Sequence, residues 1–126
     1  MVQSFGQVSV PAGGTPVRAT ANLSAPTQAQ PVFVQSFMVQ AAPENTGLVY
    51  VLSSEADPGN DRVTRTKVLA ILAVPGTATA GPFYASSYTM PNASGAVDLR
   101  EIWIDVGVNG DDAIVSGTHN QPSRYV

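Results

Sequence analysis

Cysteine is absent from the 126-residue chain. Disulfide bonds, a thiol nucleophile and thiolate metal ligands are therefore excluded, and folding inside a cell is expected. A chain of this length suits a single domain, 1–126, that can bury a hydrophobic core without covalent crosslinks. Long apolar runs are also missing. The longest, at 68–74, has the length of a buried strand and is too short for a membrane span. Residues 1–7 lack the basic and apolar regions of a signal peptide, so we expect no membrane partner.

Charged residues are scarce. Asp, Glu, Lys and Arg make up 12% of the chain, about half the usual share of a soluble domain. Depletion of charge is typical of the core of a protein–protein interface, and a neutral, polar monomer is the alternative. The net charge is −3 and the basic residues are scattered. We predict no nucleic-acid partner, because phosphate binding needs clustered Lys and Arg.

Residues with catalytic potential are equally few. His119 is the single histidine, and no nucleophile elbow, phosphate loop or zinc-ligand spacing occurs. We predict a non-enzymatic protein without a cofactor or metal. Asp105 and Asp111 could approach each other near a turn, where calcium favours carboxylate oxygens, but their spacing matches no calcium-binding loop. We interpret Asp111 and Asp112 as turn and edge residues in contact with water.

Short alternating runs, separated by turns rich in proline and glycine, fill the chain. None has the helical period over three turns. About eight strands are predicted, at 2–10, 17–23, 32–41, 48–53, 63–74, 82–89 and two within 99–116. This pattern predicts an all-β, antiparallel β-sandwich of jelly-roll type with extended termini, including an extended tail at 118–126. The strand at 32–41 is expected to be central and covered on both faces. The segment 55–62 is expected to be an exposed, mobile loop.

The clearest local signal lies around Asn109-Gly110, which favours a two-residue type I′ turn. A hairpin with that turn would pair Val106 with Ala113 and Ile104 with Val115 on a core face. In the strand at 17–23, Val17, Ala19, Ala21 and Leu23 are expected inward, and Arg18, Thr20 and Asn22 outward.

Trp103 and Ile114 would then be diagonal neighbours on the outer face of this hairpin, with no evident cover. Three interpretations of Trp103 stay open. It could anchor a protein partner, or it could be covered by a loop of its own chain. It could also serve, with Tyr84 and Tyr88, as a platform for a sugar.

Three segments carry a family resemblance. They are Val-Pro-Ala-Gly-Gly-Thr-Pro-Val-Arg-Ala-Thr at 10–20, Glu-Asn-Thr-Gly-Leu-Val-Tyr-Val at 44–51 and Leu-Arg-Glu-Ile-Trp-Ile-Asp-Val-Gly-Val-Asn-Gly-Asp at 99–111. Together they resemble small structural proteins of tailed bacteriophages, above all the jelly-roll cement, or head-decoration, proteins. The resemblance covers most of 8–116. Its motifs are turn and strand signals, and the polar segment 55–62 departs from the pattern.

The resemblance implies a virion protein without catalytic residues. It would bind the exterior of the capsid after assembly in the host cytoplasm and clamp neighbouring subunits of the major capsid protein. It would act as a homo-oligomer, with a dimer slightly favoured over a trimer. The alternative is a carbohydrate- or receptor-binding sandwich domain of a phage tail or fibre protein. Candidate partner-contact residues are Trp103, Ile114, Arg100, Arg124 and Tyr125.

Overall fold

The structure, a computed structural model, describes residues 2–22, 32–53, 68–74, 85–90 and 97–118. In these ranges the chain forms ten strands and one short 3-10 helix, Leu99–Glu101. Eight of the strands build two four-stranded antiparallel sheets, and the other two pair with each other. The strands are β1 (Val2–Ser9), β2 (Val17–Arg18), β3 (Phe33–Val34), β4 (Ser36–Ala41), β5 (Val49–Leu52), β6 (Val68–Leu72), β7 (Ser87–Met90), β8 (Val97–Asp98), β9 (Trp103–Val106) and β10 (Asp112–Thr118).

The strand order identifies the type of sandwich. The first sheet has the order β1-β10-β4-β7, and the second has the order β2-β9-β5-β6. Five pairs are nested along the chain: β1 with β10, β2 with β9, β3 with β8, β4 with β7 and β5 with β6. The chain is thus one long antiparallel ribbon closed at β5–β6. Rolling this ribbon adds the pairs β4–β10 and β5–β9. The predicted all-β jelly roll is confirmed.

The core lies between the two sheets and is filled by the inward residues of both. As predicted, Ile104 and Val106 of β9 and Ala113 and Val115 of β10 are fully buried. The alternation in these strands therefore assigns the inner faces correctly. The remaining core is apolar: Phe5, Val8, Val10, Ala19, Val34, Phe37, Val39, Ala41, Val49, Val51, Leu72, Leu99 and Ile102.

The predicted hairpin, however, is wrong. β9 pairs with β2 and β5, whereas β10 pairs with β1 and β4 in the other sheet. Val106 and Ala113 therefore do not pair across a ladder. The turn itself is present: the Asp111 N–H donates to the carbonyl of Val108 at 3.1 Å, and Gly110 has a φ of 86°. Asn109-Gly110 thus forms part of an arch (residues 107–111) that crosses from one sheet to the other.

Backbone hydrogen bonds explain why the chain crosses between sheets here. The Gly107 N–H donates to the Leu48 carbonyl at 2.9 Å, so the end of β9 stays beside the segment leading into β5. The Val10 N–H donates to the Asp111 carbonyl at 3.2 Å, so the start of β10 is already beside β1. The two ends of the arch are therefore held by different sheets.

The strand predicted at 32–41 is interrupted at Gln35, whose N–H donates to the Thr118 carbonyl at 2.7 Å. The interruption shifts the alternation, so that Val34 and Phe37 are both buried while Phe33 is 53% exposed. β4 is central, between β10 and β7, as predicted. The predicted burial of both faces of this segment is not found at Phe33, which is exposed to solvent.

The strand predicted at 17–23 is shorter than expected. It ends at Arg18, and residues 19–22 form turns. Thr20, predicted to point outward, is fully buried. Near the C-terminus, Thr118 is the last residue of β10, whereas the extended tail was predicted to begin at residue 118.

Several predictions lie outside the described residues. They are those for Leu23, the segment 55–62, Tyr84, His119, Arg124, Tyr125 and the rest of the tail. Within the described ranges, no helix has the length and apolarity needed to cross a membrane.

Candidate functional site

Trp103 and Ile114 lie on opposite outer faces of the sandwich, because β9 and β10 belong to different sheets. The prediction that they are diagonal neighbours is wrong. The chain instead has two separate candidate surfaces. The Trp103 face comprises outward residues of the second sheet, namely Arg18, Tyr50, Leu52, Val68, Ile71, Trp103 and Asp105. The Ile114 face comprises outward residues of the first sheet, namely Ser4, Gln7, Ser9, Ser36, Met38, Gln40, Ser87, Thr89, Asp112, Ile114, Ser116 and Thr118.

The Trp103 face has an apolar centre. Cross-strand pairing places Trp103 between Arg18 on β2 and Leu52 on β5. Leu52 is only 1% exposed and Tyr50 8% exposed, although both point away from the main core. Partly buried Leu48, Val68, Ile71 and Trp103 pack against these two side chains. The indole of Trp103 is therefore half-buried against its own sheet, and its role as a partner anchor stays a prediction.

Arg18 is the cross-strand neighbour of Trp103 on this face. It was not identified from the sequence as a candidate functional residue. Its guanidinium carbon lies 4.9 Å from the centroid of the Trp103 ring, within the range of a cation–π interaction. Its Nε is closed to solvent and has no hydrogen-bond partner. No ion pair joins Arg18 to a carboxylate in the described part of the chain. A buried N–H donor that has no acceptor lowers the stability of the fold.

Arg100 and Glu101 lie just before Trp103 and differ in their contacts. Arg100 forms an ion pair with Asp98, with 3.4 Å between Nη2 and Oδ2. Asp98 also accepts a hydrogen bond from the Arg100 N–H at 3.0 Å and so caps the 3-10 helix. Glu101 is exposed, and its carboxylate makes no hydrogen bond or ion pair within the described ranges. A partner contact by Arg100 stays a prediction, but its charge is already compensated within the chain.

The Ile114 face carries few charged groups, and Gln7 on its edge strand donates to two of them, Glu44 and Asp112. Ile114 lies between Gln7 on β1 and Gln40 on β4. The next outward row places Ser116 between Ser4 and Met38. Only Asp112, at the start of β10, is charged among the outward residues of that strand. Near the other end of β10 is a shallow depression of about 200 Å³, lined by Ser36, Phe37, Met38, Thr89, Ser116, Gly117 and Thr118.

The sugar platform proposed for Trp103 and Tyr88 is not formed. Tyr88 belongs to β7 in the first sheet and packs against the main core. Its ring centroid lies 6.1 Å from that of Phe37, at a tilted angle of 58°. Tyr88 is therefore part of the packing between the sheets and lies away from the Trp103 face.

The acidic residues near the arch serve the fold. Asp105 Oδ1 accepts hydrogen bonds from the backbone N–H groups of Gly14 and Val106, both at 2.8 Å. Asp111 Oδ2 accepts from the Gly47 N–H at 2.9 Å. Asp111 is buried, so its predicted contact with water is wrong. The described ranges contain no group of three or more acidic, histidine or cysteine side chains placed to hold a metal ion.

Asn45 ties the same end of the sandwich together. Its Nδ2 donates to the Asp112 carbonyl at 2.6 Å, and its Oδ1 accepts from the Asp112 N–H at 2.9 Å. This side chain therefore mimics a strand neighbour for β10. Its partner could not be predicted, because 67 residues separate the two positions.

Comparison with known protein families, characterised proteins and solved structures gives no significant match to this chain.

Proposed function

We propose that this chain is a non-enzymatic cement protein of a tailed bacteriophage. In this proposal it binds the exterior of the capsid and clamps neighbouring subunits of the major capsid protein. The observation that carries the proposal is the Ile114 face, which spans the width of a four-stranded sheet and, among the described residues, carries charge only beside Gln7, at Asp112 and Glu44. Charge depletion of this kind is typical of surfaces that exclude water against a protein partner.

The chemistry of the Ile114 face suits a protein surface as its partner. Ile114 and Met38 supply apolar contact, while Gln40 beside Ile114 can both donate and accept hydrogen bonds. The Nε2 of Gln7, on the other side, already donates to Glu44 and Asp112. Such a mixture resembles an interface in which an apolar centre is surrounded by polar groups. The jelly roll holds the backbone of these residues in a hydrogen-bonded sheet, so binding has to order only their side chains.

The docking proposal is tested by adding the purified protein to phage particles stripped of it. We expect saturable binding at a fixed ratio to the major capsid protein. Ile114→Arg should abolish binding, because a charge would then be buried in the contact. Val108→Arg is the matched control, since Val108 is 41% exposed on the arch and lies outside both faces.

The binding experiment tests the cement function and the docking surface separately. Failure of the wild-type protein to bind would contradict the cement function. Normal binding by a folded Ile114→Arg variant would show that docking uses another surface.

One observation favours a second candidate, a carbohydrate- or receptor-binding domain. The depression of about 200 Å³ on the first sheet is lined by the hydroxyl-bearing residues Ser36, Thr89, Ser116 and Thr118. Hydroxyl groups can donate to and accept from sugar hydroxyls. Binding of the isolated protein to a glycan array, weakened by Thr89→Val, would support this candidate, and an array without signal would exclude it.

A further inference from the structure

We propose that the Trp103 face binds the same face of a second copy of this chain about a two-fold axis. In this dimer, Arg18 of each copy forms an ion pair with Glu101 of the other. The inference does not depend on capsid docking, which we assign to the opposite side of the sandwich. The dimer can therefore be tested independently of the proposed function.

The first step is the unsatisfied cation. The guanidinium of Arg18 is fixed over the Trp103 ring, and its Nε is already closed to solvent. The two Nη groups are the remaining donors, and they form the fork that binds a carboxylate in planar geometry. Because the guanidinium is held in place by the indole, less side-chain entropy is lost when it binds.

The second step concerns Glu101, an exposed carboxylate that precedes Trp103 in the chain. Leu99 and Ile102 are both buried, as expected for residues three apart in a 3-10 turn. Glu101, between them, is exposed and precedes Trp103 by two positions. No ion pair within 4.0 Å joins Glu101 to Arg18 of its own chain, so both charges stay available.

The other charged groups near Trp103 that the structure describes already have partners within the chain. Arg100 is paired with Asp98. Asp105, on the same face as Trp103, is 2% exposed and accepts two backbone hydrogen bonds. Among the residues that the structure describes, Arg18 and Glu101 are therefore the two charges near Trp103 that have no partner.

Symmetry makes this arrangement self-complementary. In a two-fold interface, if residue i of one copy contacts residue j of the other, then j also contacts i. A patch with one cation and one anion beside an aromatic residue can thus form two equivalent ion pairs. Two Trp103 side chains would supply the apolar centre between them, with the charges at the rim. A patch of a single charge sign would instead repel its own copy.

The extent of the face sets the expected strength of the dimer. Four strands spaced about 4.8 Å apart, with central strands of four residues at roughly 3.4 Å per residue, give a face on the order of 15–20 Å by 13–14 Å, or roughly 200–280 Å². Such a patch is smaller than the roughly 800 Å² per partner of a standard interface. We therefore expect a reversible dimer whose population rises with protein concentration.

A charge-exchange experiment tests the pairing. Sedimentation over a concentration series should show that Arg18→Glu and Glu101→Arg each weaken dimerisation by about tenfold or more, because like charges then face each other. An equimolar mixture of the two variants should dimerise again, since both cross-pairs join opposite charges. If the two residues paired within one chain, the double variant would resemble the wild type but the mixture would stay monomeric.

Glu44→Arg is the control for the change in net charge, since Glu44 is exposed and binds Gln7 at the other end of the sandwich from Glu101. Circular dichroism establishes that each variant is folded. If Arg18→Glu does not fold, the milder Arg18→Gln takes its place, with weaker dimerisation and a smaller salt dependence expected. A wild-type protein that is monomeric throughout, or a Glu101→Arg variant that dimerises as well as the Glu44→Arg control, would overturn the proposal.

Discussion

The Oδ1 oxygen of Asp105 accepts a hydrogen bond of 2.8 Å from the backbone N–H of Gly14, joining β9 to the loop that follows β1. Beside this contact, the Asn109 Oδ1 accepts from the Gly13 N–H at 2.7 Å. These bonds fix the arch on the loop between β1 and β2. The arch in turn sends β9 and β10 into different sheets, so it determines that Trp103 and Ile114 face opposite directions.

Removal of the Asp105 carboxylate should destabilise the fold. Asp105→Ala would leave the N–H groups of Gly14 and Val106 without their acceptor, and hydrogen bonds to a charged group are worth about 1.5–3 kcal/mol each. We expect the free energy of unfolding to fall by about 3 kcal/mol, measured by chemical denaturation. Asp105→Asn, which keeps one acceptor oxygen, should lose less. Glu44→Ala removes the same charge at an exposed site, and an equal loss in that variant would contradict the assignment.

Gly117 should not tolerate a larger side chain. A Cβ at this position would lie 2.9 Å from Val34 Cγ1 and 3.1 Å from Phe5 Cε2, in the core. Gly117→Ala should therefore lower the free energy of unfolding by about 1–3 kcal/mol through overpacking. A Cβ at Gly107 would meet nothing closer than 3.7 Å, so Gly107→Ala should be nearly neutral. Equal melting temperatures for the two variants would show that the packing around Gly117 is looser than described.

The sequence predicted the inner faces of β9 and β10 because alternation depends only on the local strand. It also predicted the turn at Asn109-Gly110, because a glycine with positive φ is a local requirement. It did not predict that the strands enter different sheets. That outcome depends on distant partners, such as Leu48 for Gly107 and Val10 for Asp111.

For the two candidate surfaces, too, some features follow from local sequence and others depend on strand pairing. That Trp103 points outward could be predicted from alternation alone. The contact of Arg18 with Trp103 could not, because it requires β2 to pair with β9 across about 85 intervening positions. The apolar cluster around Leu52 likewise needs the register of three strands. Local patterns thus indicate which side chains point outward, and the topology decides which of them meet.

Trp103 is the single tryptophan of the chain, so its fluorescence reports directly on the Trp103 face. On dilution of the wild-type protein, the emission should move to longer wavelength and iodide quenching should increase, because dissociation exposes the indole to water. For the Glu101→Arg variant, the same spectral change should occur at concentrations about tenfold higher or more. A wild-type spectrum that does not change with concentration would contradict the dimer.

Trp103→Ala should affect both stability and association. The indole is half-buried against Leu52 and holds the guanidinium of Arg18, so we expect a loss of about 2 kcal/mol, roughly half the cost at a fully buried aromatic site. The dimer should also be lost, as measured by light scattering. Ile114→Ala, on the opposite face, should leave the dimer intact. A Trp103→Ala variant that melts and dimerises like the wild type would place the contact elsewhere.

We propose that the chain stabilises an assembled capsid by binding the capsid and not its separated subunits. Such binding adds its free energy to the lattice at every occupied site. The most direct measurement compares the resistance of complete particles, stripped particles and stripped particles with the protein restored to heat and osmotic shock. We predict that stripped particles break at lower temperature and under milder shock, and that the wild-type protein, but not Ile114→Arg, restores resistance. Equal resistance of stripped and complete particles would contradict the account.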